Sequence, residues 1–266
     1  MATAQINGIT VAYDDRGSGS DVLLLVHGHP FDRTMWRGQA EAAAAAGWRV
    51  VVPDLRGYGA TTVVPGKTPL SQFAADLVGL LDHLGIDRFV VGGLSMGGQI
   101  AMEICRAYGD RVRGLLLAAT FPQAETADGR VNRARMADRL VAEGLAPYAQ
   151  EVLPRMVAPR NIAAMPAVAH HVLGMMRATA PEGAAAALRG RAERPDYADT
   201  LAAFDRPSLV VVGDEDAFTT RADADRMHGL LRGSELLWLE KVGHMPNLEA
   251  GPAFDAALVR LLGRVA

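Results

Sequence analysis

Cysteine is almost absent: Cys105 is the only one in 266 residues, so no intrachain disulfide can form and the chain is not a small secreted scaffold held by bridges. A reducing compartment follows as the default. Long apolar runs are missing too. No stretch reaches the roughly 18 uncharged apolar residues of a membrane span. The opening MATAQINGITVAYDD has neither the basic nor the apolar region of a secretory signal, and the expectation is a cytoplasmic protein with no membrane partner. An excess of one charge is likewise lacking. Lys and Arg number 27 against 30 Asp and Glu, for a net −3 and a pI near 6.2, which gives no general field for polyanions and argues against nucleic acid as partner. What is present is the composition of a folding chain: 50% hydrophobic and 21% charged residues, far from the signature of disorder. The length suits one α/β domain with an insertion, as a monomer or homodimer.

Short apolar runs recur with helix-like segments between them, which predicts parallel strands buried on both faces. The clearest runs are 22–26, 49–53, 89–93, 115–118, 209–213 and 235–239. Residues 71–84 place Phe73, Leu77, Leu80, Leu81 and Leu84 at helical spacing, with Ser71 as cap and Gly85 as stop. The rhythm is that of a doubly wound sheet, whose ligands bind beyond the carboxyl ends of the strands. It stops at about Phe121 and resumes after Asp205. The expected division is therefore a core of 1–120 and 206–266 with a helical cap of 121–205. One cap helix is expected over 130–143, with Asp128 as cap and Gly144 as stop. The alanine runs 42–46 and 184–187 read as helix filler.

Gly93-Leu94-Ser95-Met96-Gly97 is G-x-S-x-G, directly after an apolar strand and directly before a helix-like run. That context suits a sharp turn presenting a nucleophilic serine above the sheet, at the positive end of a helix. A serine hydroxyl is a weak nucleophile and needs a histidine base, which an acid in turn must orient. Of the seven histidines, His83, His170, His171 and His228 lie on helix-like or inserted segments, and His27 and His29 lie in an early loop. His244 follows the last strand, at the carboxyl end of the sheet, and is the expected base. Asp214, Glu215 and Asp216 all follow the penultimate strand, and spacing does not choose the acid among them.

The chain resembles the α/β-hydrolase fold serine carboxylesterases, in the branch of the 3-oxoadipate enol-lactonases and cofactor-free haloperoxidases. Matching pieces are His27-Gly28-His29-Pro30 with Asp32 and Met35-Trp36, then Asp54 to Gly59, Gly92 to Gly98, Gly213 to Asp216 and Gly243 to Glu249. The resemblance implies a mostly parallel sheet with a helical cap, a triad of Ser95, Asp216 and His244, and an oxyanion hole from the backbone N–H groups of His29 and Met96. Pro30 has no N–H to offer, and Phe31 is the fallback. The implied activity is hydrolysis of a small-molecule carboxylic ester through an acyl-enzyme, without metal or organic cofactor. Lactone hydrolysis, perhydrolysis, carbon–carbon bond hydrolysis and a non-catalytic small-molecule receptor are the alternatives on the same scaffold. Epoxide hydrolases and haloalkane dehalogenases carry aspartate where Ser95 stands.

Other motifs read more plainly as structure. Gly66-Lys67-Thr68 lacks the glycine and the strand of a P-loop. His27, His29 and Asp32 lack the further ligands of a closed metal site, and the His29 ring reads as a loop residue rather than a substrate contact. Arg130, Arg133, Arg135 and Arg139 read as a solvated helix face. Some of Met136, Met156, Met165, Met175 and Met176 are expected to face the substrate. Asp54, Arg56 and Tyr58 are expected to brace their loop, and Cys105 to pack against the sheet.

Overall fold

The computed structural model describes residues 1–265. Eight strands form one sheet: β1 (Ala2–Ile6), β2 (Ile9–Arg16), β3 (Val22–Val26), β4 (Arg49–Pro53), β5 (Phe89–Leu94), β6 (Val112–Ala118), β7 (Ser208–Gly213) and β8 (Glu235–Leu239). Their order is β1-β2-β4-β3-β5-β6-β7-β8. Pairings from β4 to β8 are parallel, whereas β1 with β2 and β2 with β4 are antiparallel. The β1–β2 hairpin is absent from the apolar runs of the sequence because β1 leaves three of its five residues exposed. Its signal is Asn7-Gly8, both at positive φ (48° and 78°), the pair that a two-residue hairpin turn favours.

The helices, in chain order, are α1 (Arg37–Ala45), α2 (Leu70–His83), α3 (Met96–Tyr108), α4 (Ala127–Glu143), α5 (Leu145–Met156), α6 (Pro159–Ala164), α7 (Pro166–Ala178), α8 (Pro181–Arg191), α9 (Ala198–Ala203), α10 (Arg221–Leu230), α11 (Pro246–Glu249) and α12 (Gly251–Gly263). Alternate residues of β3 serve opposite cores. Leu24 and Val26 pack with Phe73 of α2 and Ile100 of α3, while Leu23 and Leu25 pack with Ala40 of α1 and Phe254 of α12. A sheet covered on both faces has no solvated side, which is why its strands read as unbroken apolar runs. Each such buried Val or Leu contributes roughly 1.5–3 kcal/mol.

Two expected helix starts are corrected. α2 begins at Leu70 after Pro69, with no side-chain cap, and Ser71 is an exposed residue inside it. α4 begins at Ala127, and the hydroxyl of Thr126, not Asp128, accepts from the Gly129 N–H at 3.0 Å. Gly144, at φ 75°, ends it.

Six helices, α4 to α9, lie between β6 and β7. Pro159, Pro166 and Pro181 each open a helix, the position at which a missing N–H costs least. The second alanine run is more than filler. Ala184 and Ala185 are buried with Ala137 and Leu140 of α4, so small side chains let α8 pack closely on α4. Among the described residues no helix is long and apolar enough to cross a membrane.

Candidate active site

Ser95 joins β5 to α3 at φ 56° and ψ −115°, a conformation that costs a non-glycine residue on the order of 1–3 kcal/mol. Packing compels it. A Cβ on Gly93 would lie 2.1 Å from the Gly97 carbonyl oxygen, and one on Gly97 would lie 2.1 Å from that of Val26, so the turn closes only with glycine at both places. The Ser95 N–H donates to the Ala118 carbonyl at 2.9 Å, and the Thr120 hydroxyl donates to the Ser95 carbonyl at 2.8 Å. Ala118 at the end of β6 and Thr120 just beyond it thereby clamp the strained residue at the head of α3.

His244 Nδ1 lies 2.9 and 3.0 Å from the two carboxylate oxygens of Asp216. The carboxylate holds the ring proton on Nδ1 and leaves Nε2 as the basic nitrogen. Asp216 is itself held by the N–H groups of Phe218 (2.8 Å) and Thr219 (3.2 Å). The neighbouring acids go elsewhere: Glu215 pairs with Arg160 at 2.6 Å, and Asp214 accepts from the Val242 N–H at 3.3 Å. Only geometry separates the three carboxylates that spacing left equivalent.

The loop bearing His244 is fastened by Glu249. Its carboxylate accepts from the N–H groups of Gly243 (3.1 Å), Met245 (3.2 Å) and Ala158 (2.9 Å) and from the Asn161 amide (2.8 Å). In addition, the His244 N–H donates to the Met156 carbonyl at the end of α5, 3.1 Å away.

In the early loop the Phe31 N–H donates to the Gly28 carbonyl at 3.1 Å. That donor is spent within the turn, which leaves the N–H groups of His29 and Met96 as the oxyanion candidates. His27 is a structural residue: its Nε2 accepts from the Leu55 N–H (2.9 Å) and its Nδ1 donates to the Gly28 carbonyl (2.8 Å). His29 departs from the expectation of a plain loop residue. Its ring lines the cavity described below, with Nδ1 2.7 Å from the Tyr58 hydroxyl and Nε2 buried without a partner. Burial, reinforced by Arg191 and Arg133, pulls its pKa well below the ordinary histidine value, so the ring is neutral. The expected brace roles hold for Asp54, which accepts from the Ala60 N–H at 2.8 Å, and for Arg56, which pairs with Asp76 at 2.7 Å.

Ser95 and His244 line one cavity of about 380 Å³, roofed by side chains of α4, α5 and α8. Met136 and Met156 face it, whereas Met175 and Met176 are buried in the core. The solvated reading of the α4 arginines fails for Arg133, which lines the cavity and is paired with Glu125. Arg139 does lie outside, paired with Glu143 and Glu151. Arg191 and Gln99 line the cavity too, and neither stood out in the sequence. The available signal for Gln99 was its place one helical turn after the serine. Among the described residues no group of three His, Cys, Asp or Glu gathers where a metal could bind.

The chain is 37% identical to a thermophilic esterase from Thermogutta terrifontis solved with malate bound, superposing with a TM-score of 0.95 over 99% of this chain and 98% of that one. It is 26% identical to an enol-lactonase from Burkholderia xenovorans LB400, with a TM-score of 0.91 over 98% of this chain and 100% of that one. A 3-oxoadipate enol-lactonase from Acinetobacter baylyi is 29% identical over 87% of this chain and 84% of its own length. Residues 23–257 match the profile of the alpha/beta hydrolase family, and with a strained serine elbow, a His–Asp pair and a doubly covered sheet already in place, the chain belongs to that family.

Proposed function

We propose that the protein hydrolyses carboxylic esters through an acyl-enzyme, with Ser95 as nucleophile, His244 as base and Asp216 as the group that orients it. The observation that carries this reading is the 2.9 Å contact of His244 Nδ1 with Asp216, with His244 lining the same cavity as the strained Ser95. His244 Nε2 takes the serine proton as Oγ attacks the ester carbonyl, and the backbone N–H groups of His29 and Met96 receive the oxyanion. His244 then protonates the leaving alcohol, water enters, and the same base activates it to cleave the acyl-enzyme. Losing one oxyanion donor typically costs roughly 2.7–4 kcal/mol of transition-state stabilisation.

Residues 121–205 act as a cap that sets substrate size over a core of 1–120 and 206–266. Lactone hydrolysis follows the same steps with a tethered leaving group, and the enol-lactonase relatives favour keeping it as the second reading. A cytoplasmic setting suits Cys105, a buried thiol whose pKa is pushed up to about 12 by burial.

Fluorophosphonate labelling with peptide mapping tests the mechanism, alongside steady-state turnover of p-nitrophenyl butyrate. A single adduct on Ser95 with sustained turnover is expected. An adduct elsewhere, or a burst that stalls after one equivalent, defeats the reading.

A further inference from the structure

The cavity contains an arginine that has no counter-ion among the described residues. Arg191, at the end of α8, is 8% exposed. Its Nε donates to the side-chain oxygen of Gln99 at 2.8 Å. No carboxylate among the described residues pairs with it, its two Nη groups make no hydrogen bond to the described residues, and the residue lines the cavity. The nearby carboxylate is already engaged: Glu125 is bound to Arg133 and, at 2.6 Å, to Arg194. Gln99 is fully buried, and because its oxygen is turned to Arg191, its NH₂ has no acceptor. Around this corner the cavity wall carries Arg133, Arg155 and Arg191 against the single acid Glu125. An unpaired buried guanidinium and an unpaired buried amide are both costly. Burial and the like charges of Arg133 and Arg194 pull the Arg191 pKa well below its ordinary value. The arrangement lacks one component, an anion with at least two acceptor oxygens. Planar guanidinium geometry suits a carboxylate.

We infer that Arg191 and Gln99 form a carboxylate subsite, so that the preferred substrates are esters or lactones carrying a free carboxylate. The inference rests on the ester-hydrolase reading above. Gln99 follows Ser95 by one turn of α3, and its N–H donates to the Ser95 carbonyl, a separation of about 6 Å along the helix. The scissile carbonyl and the carboxylate are therefore a few bonds apart, as in the half-ester of a short dicarboxylic acid.

Two substrate pairs test this on the full chain. Monomethyl glutarate carries its carboxylate on the acyl side and 3-acetoxypropanoate carries it on the alcohol side. Each is compared with its primary amide, which has the same shape and no charge. In at least one pair the carboxylate should have a kcat/KM about 10- to 100-fold above its amide, the yield of a charge-assisted hydrogen bond. The pair showing the effect identifies the side. Arg191→Gln should bring that ratio close to one, and Arg191→Lys should restore part of it. Amides hydrolysed as well as the acids in both pairs would overturn the subsite while leaving the hydrolase reading intact, and this wild-type comparison does not depend on any variant folding. Glutarate binding to Ser95→Ala, measured calorimetrically, needs no turnover. It should weaken about 10- to 100-fold when Arg191→Gln is added, and equal binding with and without Arg191 would overturn the subsite even if no ester were hydrolysed.

Discussion

Glu249 grips His244 from both sides: its carboxylate accepts the backbone N–H groups of Gly243 and Met245, the two neighbours of the proposed base. The same carboxylate accepts the Ala158 N–H from the turn between α5 and α6, so one buried side chain ties the loop of the proposed base to the segment between β6 and β7. Glu249→Gln keeps the volume but leaves a single acceptor oxygen for four donors. The expected cost is about 1–3 kcal/mol of stability, or roughly 2–4 °C in Tm for each kcal/mol at this size. As a positioning residue, Glu249 should affect kcat rather than KM. Thermal unfolding with steady-state kinetics checks this, and an unchanged kcat beside a lowered Tm would reduce Glu249 to a purely structural role.

Ser95 stores backbone strain that a glycine does not feel. Ser95→Gly should raise the urea midpoint, by about 1 kcal/mol in unfolding free energy. Turnover should fall on the order of a millionfold. A variant both less stable and still active would contradict the elbow as described.

Tyr58 and His29 form a buried pair at 2.7 Å, immediately beside the proposed oxyanion donor. Tyr58→Phe leaves the His29 Nδ1 without its partner and should cost about 1–3 kcal/mol of stability. It should also lower kcat/KM for every ester alike, since the loop and not a specificity contact is disturbed. A spread of effects across a panel of acyl chains would instead place Tyr58 in substrate selection.

For Glu125, burial alone would raise the carboxyl pKa, but Arg133 and Arg194 more than reverse this and bring it to about 2. A folded pKa below the unfolded one stabilises the protein above the unfolded value, and that contribution is lost as pH falls toward the folded value. Glu125→Gln should therefore be less stable than the parent at pH 7, with the deficit shrinking between about pH 4.5 and 2. Urea midpoints measured across that range check it. A deficit constant with pH would mean that the charge contributes nothing.

The strand runs, the serine elbow and the histidine loop are legible in the chain because each is a local pattern. A strand covered on both faces has to be apolar throughout, and the turn at Ser95 requires glycine at 93 and 97. The β1–β2 hairpin escapes the apolar pattern because a half-exposed edge has none. The helix starts at Leu70 and Ala127 differ from the expected ones because a cap depends on which residue the preceding chain aligns.

The order and type of the residues by themselves determined the fold class, the place of the proposed nucleophile and the neighbourhood of the proposed base. The resemblance named Asp216 where spacing left three adjacent carboxylates open, but tertiary structure alone decided that the Phe31 N–H is spent in a turn and that Arg191 sits beside Gln99, 92 residues away in sequence, with no carboxylate among the described residues paired to it. The reason is physical. Periodicity and turn chemistry act over a few residues, whereas a charge is paired or left alone by whatever distant segments pack around it.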